Sequence, residues 1–307
     1  MKPFKRHQIQ SETRKVSVII GLIICSIFVG IYDRTETSHL APASVIPKAS
    51  VMVIPVEGMI SSSGSQWEGS MVDLLLDQLD EAKESKSVKA IVLRINSPGG
   101  TVGASQEIYD AINRFKSESK KPVVVSIMDI GASGAYWIAL AGDYIFAQPG
   151  SIVGSLGVIT QTFDLTEVPK KYGIDVRTYK AGKHKDLLNP WRTPSRQDDR
   201  LINQMLTTVH EQFRDTLIKE RNISLERAKI LADGRVYAGQ DALAEQLVDQ
   251  LGGFYTATQY AGKLANINDP KIIYPNRGFK DWFQSIRAMA QSMRIIQPNL
   301  INTLGIQ

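Results

Sequence analysis

A serine set among small residues, Ser133 in GASGAYWIAL (131–140), is the first candidate for chemistry in this sequence. It follows a β-branched run and precedes an apolar stretch typical of a helix. Its own amide and the next one would therefore point out of a helix N-terminus, where partial positive charge collects and could hold an oxyanion. The alternative is structural, because serine is a favoured N-cap residue. The pattern predicts either a nucleophile or a helix cap.

A serine nucleophile needs a base, and histidine is the usual one. The sequence has four histidines. His7 precedes an apolar run, His39 lies in a stretch without periodicity, and His210 is interpreted as a surface residue of an amphipathic helix. His184 lies between two lysines, whose charges disfavour its protonation. A Ser-His triad therefore has little support.

Lysine can act as the base instead if it is uncharged at the working pH. A lysine pKa must then fall by roughly three units from about 10.4, or about 4 kcal/mol, through desolvation and nearby positive charge. The segment VRTYKAGKHKDLLNP (176–190) places Lys180, Lys183 and Lys185 beside apolar residues. Its structural alternative is a solvated basic loop. The spacing does not distinguish among the three lysines.

A second loop with unusual composition, NSPGG (96–100), follows the apolar run that ends at Ile95. Pro98 stiffens the turn, and Gly99 and Gly100 let the backbone approach another group closely with free amides. The same composition also occurs in ordinary turns. The loop is therefore a candidate binding element only in combination with other features.

Alternating strand and helix patterns indicate the elements that must position these residues. We predict strands at 51–60, 88–95, 122–128 and 143–148, and helices at 71–85, 104–118, 132–142, 195–221, 224–234 and 238–253. Strands that alternate with helices of this length are typical of βαβ units and a mainly parallel sheet. The fold class is therefore α/β. In such a sheet, the loops at the carboxyl ends of the strands form the ligand-binding edge.

The net charge of +5 comes largely from the first fifteen residues, which hold five basic groups and one acidic group. Subtracting this +4 leaves +1 for the rest of the chain. A nucleic-acid-binding domain would carry a basic face and groove-reading or aromatic elements, and no such motif is present. The composition therefore argues against a nucleic-acid partner. Residues 1–15 are interpreted as a basic cytoplasmic tail.

The uncharged run at 16–32 predicts a membrane anchor. Seventeen helical residues span about 26 Å, close to the thickness of a hydrocarbon core. Basic residues before the run orient the N-terminus to the cytoplasm and the rest of the chain to the outside of the inner membrane. The alternative is a cleaved signal peptide, for which APA at 41–43 offers small residues. Cys25 does not fit a lipobox, because Ile24 precedes it where a small residue is required.

Residues 33–49 lack periodicity and are interpreted as a linker to a domain at 50–270. Cys25 is the one cysteine in the chain, so no intramolecular disulfide can form. The final segment, 271–307, contains an amphipathic pattern at 279–297. This pattern predicts a helix that packs on the domain, on a neighbouring subunit or on the membrane surface.

Taken together, several motifs resemble those of the signal peptide peptidase A family, in its short form. These membrane-anchored Ser-Lys serine proteases belong to the Clp/crotonase superfamily. The motifs occur in the family's order between about residue 51 and residue 260: VIPVEGMI, LRINSPGG, GASGAYW, GSIVGSLGVI, AGKHKDLLNP and DGRVYAGQDA. The resemblance implies repeated ββα/βαβ units and a mainly parallel sheet after one N-terminal transmembrane helix.

Carried over to this sequence, the resemblance implies Ser133 as nucleophile and Lys185 as general base. The matching oxyanion-hole amides belong to Gly100 and Gly134, and the matching lysine-orienting hydroxyl to Ser155. Ala135 departs from the family, which more often has glycine there, and its methyl group is expected to narrow the site. The chemistry implied is acyl transfer without metal or cofactor.

The resemblance also implies a homo-oligomer, expected to be an octamer, in which serine and lysine meet across subunits. Its substrates would be apolar peptides, foremost the remnant signal peptides left by an upstream signal peptidase. Two alternatives stay open. One is quality control of membrane proteins by the same chemistry. The other is a non-proteolytic crotonase-like protein that binds acyl groups or acts as a scaffold, although such a protein has no need of the HKD motif.

Overall fold

The structure is a computed structural model that describes residues 48–64 and 69–275. The predicted tail, the anchor at 16–32, most of the linker, and residues 276–307 of the C-terminal segment lie outside the described residues. Within the described ranges, no helix is long and apolar enough to cross a membrane. The residues described from Ala49 onward belong to one compact unit.

The strands form where apolar, β-branched runs occur. They are β1 (Ser50–Glu57), β2 (Val88–Ser97), β3 (Val123–Ala132), β4 (Tyr144–Ala147), β5 (Ile152–Gly154), β6 (Val236–Ala238), β7 (Gln250–Leu251) and β8 (Lys271–Ile273). The first three are buried along most of their length, because helices cover both faces of the sheet. Buried strands of this kind have continuous rather than alternating apolar sequences.

The helices are α1 (Met71–Glu84), α2 (Val102–Ser119), α3 (Gly134–Ala139), α4 (Glu167–Lys171), α5 (Arg196–Arg221), α6 (Leu225–Leu231), α7 (Gly239–Ala244) and α8 (Phe254–Leu264). Reciprocal capping boxes start two of them. Ser70 caps α1 with Asp73, and Ser195 caps α5 with Asp198. Each box satisfies two backbone donors at a helix start.

The described strands form one sheet in the order β6-β5-β3-β2-β1-β8, with β4 pairing with β3 and β7. The pairs are parallel except β5 with β6. The predicted α/β class with a mainly parallel sheet is confirmed. The first part of β3 pairs with β4 and its last part, from Ile130, pairs with β5. This change of partner brings the end of β3 beside Gly154.

Apolar side chains fill both faces of the sheet. The larger cluster lies between one face and helices α1, α2 and α3, and includes Ile54, Ile95 and Trp137. The smaller cluster lies on the other face against α8 and includes Val92 and Phe146. The central strands are therefore held from both sides, which fixes the carboxyl edge of the sheet.

Several predicted boundaries differ from the observed ones. The helix predicted at 238–253 ends at Ala244, and the chain then forms β7, because Gln246 adopts a left-handed φ of 61° that a helix cannot continue through. The helix predicted at 132–142 is shortened at its start, because β3 continues through Ala132. The sheet continues past residue 270, because β8 pairs with β1.

The apolar face predicted for the long helix is buried in its second half alone. Phe213 and Leu217 of α5 are buried, whereas Met205 is half exposed. The first half of α5 therefore carries apolar side chains that the described chain covers only in part.

Candidate active site

Ser133 occupies the sharp turn between β3 and α3. Its φ of 54° and ψ of −126° lie outside the regions usual for residues with a side chain. Its amide donates a hydrogen bond to the Gly154 carbonyl oxygen at 2.8 Å, and its carbonyl oxygen accepts one from Trp137 at 3.0 Å. Ser133 stands at the N-cap position, yet its side chain makes no capping hydrogen bond. The half-buried hydroxyl is therefore not engaged as a helix cap.

Burial of α3 holds this turn in place. All six residues of the helix are buried, the Tyr136 hydroxyl donates to the Leu247 carbonyl oxygen at 2.6 Å, and Trp137 stacks on Phe213 with ring centroids 4.5 Å apart. Complete burial also raises the pKa of Tyr136, which keeps this hydroxyl protonated as a donor. A backbone conformation like that of Ser133 costs about 1–3 kcal/mol and persists where its surroundings determine it.

The NSPGG loop lies directly against the Ser133 turn. Gly99 has a φ of 99°, and a Cβ atom built on it would lie 2.7 Å from the Gly134 nitrogen and 2.8 Å from the Ser133 Cβ. Two hydrogen bonds fix the loop, from the Ile60 amide to the Gly99 carbonyl oxygen and from the Thr101 amide to the Ile60 carbonyl oxygen, both 2.9 Å. The absence of a side chain at Gly99 is thus what allows the two loops to meet.

Gly100 and Gly134 lie close to each other at this junction. A Cβ built on Gly134 would be 3.4 Å from the Gly100 nitrogen. Neither amide has an acceptor within the part of the chain that the structure describes. The expectation that Ser133's own amide also faces the site is wrong, because that amide bonds to Gly154. The pair of free donors is therefore Gly100 and Gly134.

Small residues next to Ser133 serve close packing. A Cβ on Gly134 would collide with the Ser105 hydroxyl on α2, so that position requires glycine. Ala135 is fully buried and belongs to the larger apolar cluster. Its methyl group is therefore part of the core packing under the turn.

Ser155 directly follows the residue that accepts the Ser133 hydrogen bond. Its φ is 53°, and its amide donates to the Arg235 carbonyl oxygen at 2.8 Å. Gly154 before it has a φ of 98°. The structure thus brings the segments carrying Ser133, Gly134, Gly100 and Ser155 to one edge of the sheet.

Lys185 lies on a long segment between β5 and α5, residues 158–194, which we call the arm. Nine large apolar residues on the arm are exposed: Ile159, Phe163, Val168, Tyr172, Ile174, Val176, Tyr179, Leu188 and Trp191. Lys185 is also exposed, and no hydrogen bond joins it to Ser133 in the described chain. The described chain by itself therefore does not form the predicted hydrogen bond between nucleophile and base.

The three candidate lysines differ in their partners. Lys180 donates to a carboxylate oxygen of Asp186 at 2.6 Å, and Lys183 donates to the Gln197 side chain at 2.8 Å. The Lys185 amine has neither a hydrogen bond nor an ion pair with any other described residue, although the Lys185 backbone amide donates to the Gly182 carbonyl oxygen. Lys185 is thus the one lysine of the three whose amine is not already engaged in the described chain.

A group of charges lies beside Lys185 in the sequence. Arg192 bonds to both oxygens of Asp186, at 2.9 and 3.2 Å, and to Asp198 at 2.7 Å. Hydrogen bonds from Arg192 and then Lys180 lower the pKa of Asp186 to about 2. The pKa of Asp198 is also lowered, first by Arg192 and then by Ser195. Both carboxylates are thus held ionised.

Neither described histidine contacts Ser133. The His184 Nδ1 atom lies 3.6 Å from an Asp198 oxygen, and the His210 Nε2 atom lies 2.6 Å from the Ala232 carbonyl oxygen. His210 therefore joins α5 to the end of α6 rather than facing solvent as predicted. His7 and His39 lie outside the described residues. The part of the chain that the structure describes provides no Ser-His pair.

Sequence reasoning missed the contributions of Gly154 and Arg192. A glycine before a serine in GSLGV is a recognisable signal for an unusual φ, whereas nothing in the sequence marks Arg192 as the partner of two carboxylates. Gly99 lies in the LRINSPGG motif, but its close approach to Gly134 depends on tertiary structure.

Comparisons with known proteins show which families this chain resembles. The family model for peptidase family S49 matches residues 115–268, and that for Clp protease matches residues 54–163. A "Putative protease" of Methanocaldococcus jannaschii is 36% identical over 64% of this chain and 63% of its own length. A "Putative signal peptide peptidase SppA" of Enterococcus faecium is 31% identical over 81% of this chain and 73% of its own length. The chloroplast serine protease SPPA of Arabidopsis thaliana is 32% identical over 72% of this chain and 32% of its own length.

Proposed function

Because this chain belongs to peptidase family S49, the signal peptide peptidase A type of serine protease, we propose that it is a serine endopeptidase with Ser133 as nucleophile. The observation that carries this proposal is the Ser133 turn. A non-glycine residue with a φ of 54° lies at the N-terminus of a buried helix, and its hydroxyl caps nothing. Backbone strain of this kind is concentrated at functional sites.

Gly100 and Gly134 supply the oxyanion hole. The two glycines lie close to each other next to Ser133, and their amides have no acceptor in the described chain, which supports donation by both amides to one developing oxyanion. Donors that are fixed before the reaction stabilise a tetrahedral intermediate without reorganisation. The interlocking glycines Gly99 and Gly134 provide this rigidity.

Lys185 is the general base, and Ser155 orients it. Its amine has no partner in the described chain, whereas Lys180 and Lys183 are already bonded. Uncharged Lys185 takes the Ser133 proton, and the oxygen attacks the peptide carbonyl carbon. The proton then passes to the leaving amine as the peptide bond breaks. Water, activated by the same amine, attacks the acyl-enzyme and releases the acid product.

A neighbouring copy of the chain completes the site. Lys185 and nine large apolar residues of the arm are exposed in the single chain. Apolar surface on this scale favours an interface. Covering the arm would also remove water from Lys185, which favours the uncharged amine. We therefore propose a homo-oligomer, an octamer, in which Ser133 and Lys185 come from adjacent subunits.

The proposed substrates are apolar peptides, foremost signal peptides left in the membrane. The uncharged run at 16–32 supports a single membrane anchor that places the catalytic domain on the periplasmic side. The Enterococcus faecium relative carries signal peptide peptidase in its name, which supports the same substrate class. Peptides that accumulate in membranes of a Ser133→Ala strain would identify the substrates. Accumulating fragments of full-length membrane proteins would favour quality control instead.

A fluorophosphonate probe tests the hydrolase proposal. Such probes form a covalent bond with an activated serine oxygen as fluoride leaves. We expect one label per chain, located on Ser133, that is lost in Ser133→Ala and retained in Ser117→Ala, which changes an exposed serine on α2. Cleavage of an apolar peptide should show the same pattern. Absence of both labelling and cleavage in the assembled protein would favour a non-proteolytic acyl-binding protein.

A further inference from the structure

One arginine links the turn that carries Lys185 to the start of the longest described helix. Arg192 reaches Asp186, the residue after Lys185, through two side-chain hydrogen bonds and a third to its carbonyl oxygen at 3.2 Å. The same guanidinium bonds to Asp198 of α5 at 2.7 Å. Arg192 therefore bridges two carboxylates.

The two carboxylates are well covered, so their charges need this partner. The side chains of Asp186 and Asp198 are 9% and 8% exposed. Asp198 is fixed in turn by the capping box, in which it accepts from the Ser195 amide at 2.9 Å. Removing one member of a covered ion pair leaves the other charge uncompensated. The bridge therefore connects the Lys185 turn to a rigid helix rather than to solvent.

Backbone hydrogen bonds pass the constraint along the turn. The Lys185 amide bonds to the Gly182 carbonyl oxygen at 3.2 Å, the Asn189 amide to Asp186 at 3.2 Å, and the Arg192 amide to Asn189 at 3.4 Å. The turn from 182 to 192 is thus closed on itself, and Arg192 attaches it to α5 beside the contacts of Lys183 with Gln197 and of His184 with Asp198. Movement of Arg192 would move the Lys185 Cα with it.

We propose that Arg192 is a positioning residue for catalysis, which fixes the Lys185 turn on α5 and keeps the Asp186 carboxylate bonded away from the Lys185 amine. This inference rests on the proposed role of Lys185 as base. Arg192 itself does not touch the substrate. It acts through the position and the charge of the neighbouring turn.

The electrostatic part follows from the charges around Lys185. Asp186 accepts hydrogen bonds from Lys180 and Arg192. Asp198 is paired with Arg192 and lies 3.6 Å from His184. Lys183 bonds to Gln197. Without Arg192, one cation fewer would balance the two carboxylates. A freed Asp186 carboxylate would favour the charged, catalytically inactive form of the adjacent Lys185. The base would then need a higher pH to work.

The test compares Arg192→Gln with Arg200→Gln in the full-length assembled protein. Arg200 is an exposed arginine on α5 whose side chain forms no hydrogen bond or ion pair with a described residue, so it controls for the chemical change. We expect Arg192→Gln to slow fluorophosphonate labelling about 10- to 100-fold, the range for misplaced catalytic groups. In a plot of labelling rate against pH, the fall in rate on the acid side, which we call the acid limb, should move up by about one pH unit in Arg192→Gln. Arg200→Gln should match the wild type in both.

Two further variants separate the effect of the Arg192 charge from the effect of its hydrogen-bond geometry. Arg192→Lys retains the charge but cannot bond to both carboxylates in the same way, so we expect a slower rate with the acid limb unmoved. Adding Asp186→Asn to Arg192→Gln should restore the acid limb. The inference is overturned if Arg192→Gln keeps the wild-type labelling rate and pH dependence. If Arg192→Gln does not fold, a wild-type labelling rate in Arg192→Lys would overturn it instead. If Lys185→Ala itself labels at the wild-type rate, the proposed function fails instead.

Discussion

The Ser133 amide and the Gly154 carbonyl oxygen are joined by a hydrogen bond of 2.8 Å, which ties the turn after β3 to the end of β5. Ala132 and Gly154 are also register partners in that strand pair. Ser155 therefore directly follows Gly154, the residue that accepts the hydrogen bond from the Ser133 amide. This bond places Ser155, the proposed lysine-orienting residue, next to the turn that carries Ser133.

Removing the Ser155 hydroxyl should impair the base more than the fold. In Ser155→Ala we expect fluorophosphonate labelling of Ser133 to fall about 10- to 100-fold, because Lys185 loses its orienting partner. The melting temperature should change little, because the Ser155 amide keeps its hydrogen bond to Arg235. Labelling at the wild-type rate would exclude the orienting role.

A methyl group at Gly99 should disturb the oxyanion hole. Gly99→Ala would place a carbon 2.7 Å from the Gly134 nitrogen at a φ of 99°, so the Gly134 amide must move. We expect peptide hydrolysis to fall about 100-fold, similar to loss of one oxyanion donor. The matched control is Gly103→Ala on α2, where nothing lies within 4 Å. It should keep full activity and gain up to about 1 kcal/mol in free energy of unfolding. Equal activity of the two variants would argue against the assignment.

The three arm lysines should differ sharply in their effect on activity. Lys185→Ala should lower the labelling rate about 100- to 10,000-fold, the usual contribution of a general base. Lys183→Ala removes a hydrogen bond to Gln197 and should be nearly silent. Lys180→Ala removes an ion pair with Asp186 and should have an intermediate effect. If Lys183→Ala rather than Lys185→Ala abolishes labelling, the base has been assigned to the wrong residue.

The attachment of the Lys185 turn to α5 should weaken at low pH, because Asp186 is then protonated. The pKa of Asp186 in the folded protein is about 2, below the value of about 3.9 for an unfolded aspartate. A carboxylate with a lowered pKa contributes stability that is present above the unfolded value and is lost as the pH falls through the folded value. We expect amide exchange in residues 183–198, corrected for intrinsic rates, to accelerate between about pH 4 and pH 2. Asp186→Asn should weaken this dependence, and unchanged protection at the lowest pH would contradict it.

The sequence predicted most of the central fold because the helix and strand periodicities there agree with tertiary packing. Helix α1 was expected at 71–85 and observed at Met71–Glu84, and the start of α5 was expected at the capping residue Ser195. The strands β5 to β8 have two or three residues each. Such short strands are defined by their pairing partners and leave almost no periodic signal.

The site was predictable where it depends on backbone geometry that few residues can adopt. Glycines around Ser133 and in the PGG turn mark two close approaches, and both meet at the same sheet edge. The choice among Lys180, Lys183 and Lys185 was not predictable from spacing, because it depends on which amines find partners in the folded arm. The contacts of Arg192 were hidden for the same reason, since its two carboxylate partners lie six residues away on either side.

Mixing two inactive variants tests most directly whether the site is completed by a second copy. Chains with Ser133→Ala and chains with Lys185→Ala should each be inactive alone, because each oligomer would lack one half of every dyad. Unfolding them together and refolding them into mixed oligomers should restore cleavage of an apolar peptide, and the label should appear on the Lys185→Ala chains. Mixed oligomers, verified by mass, that show neither cleavage nor label would contradict a dyad shared between copies.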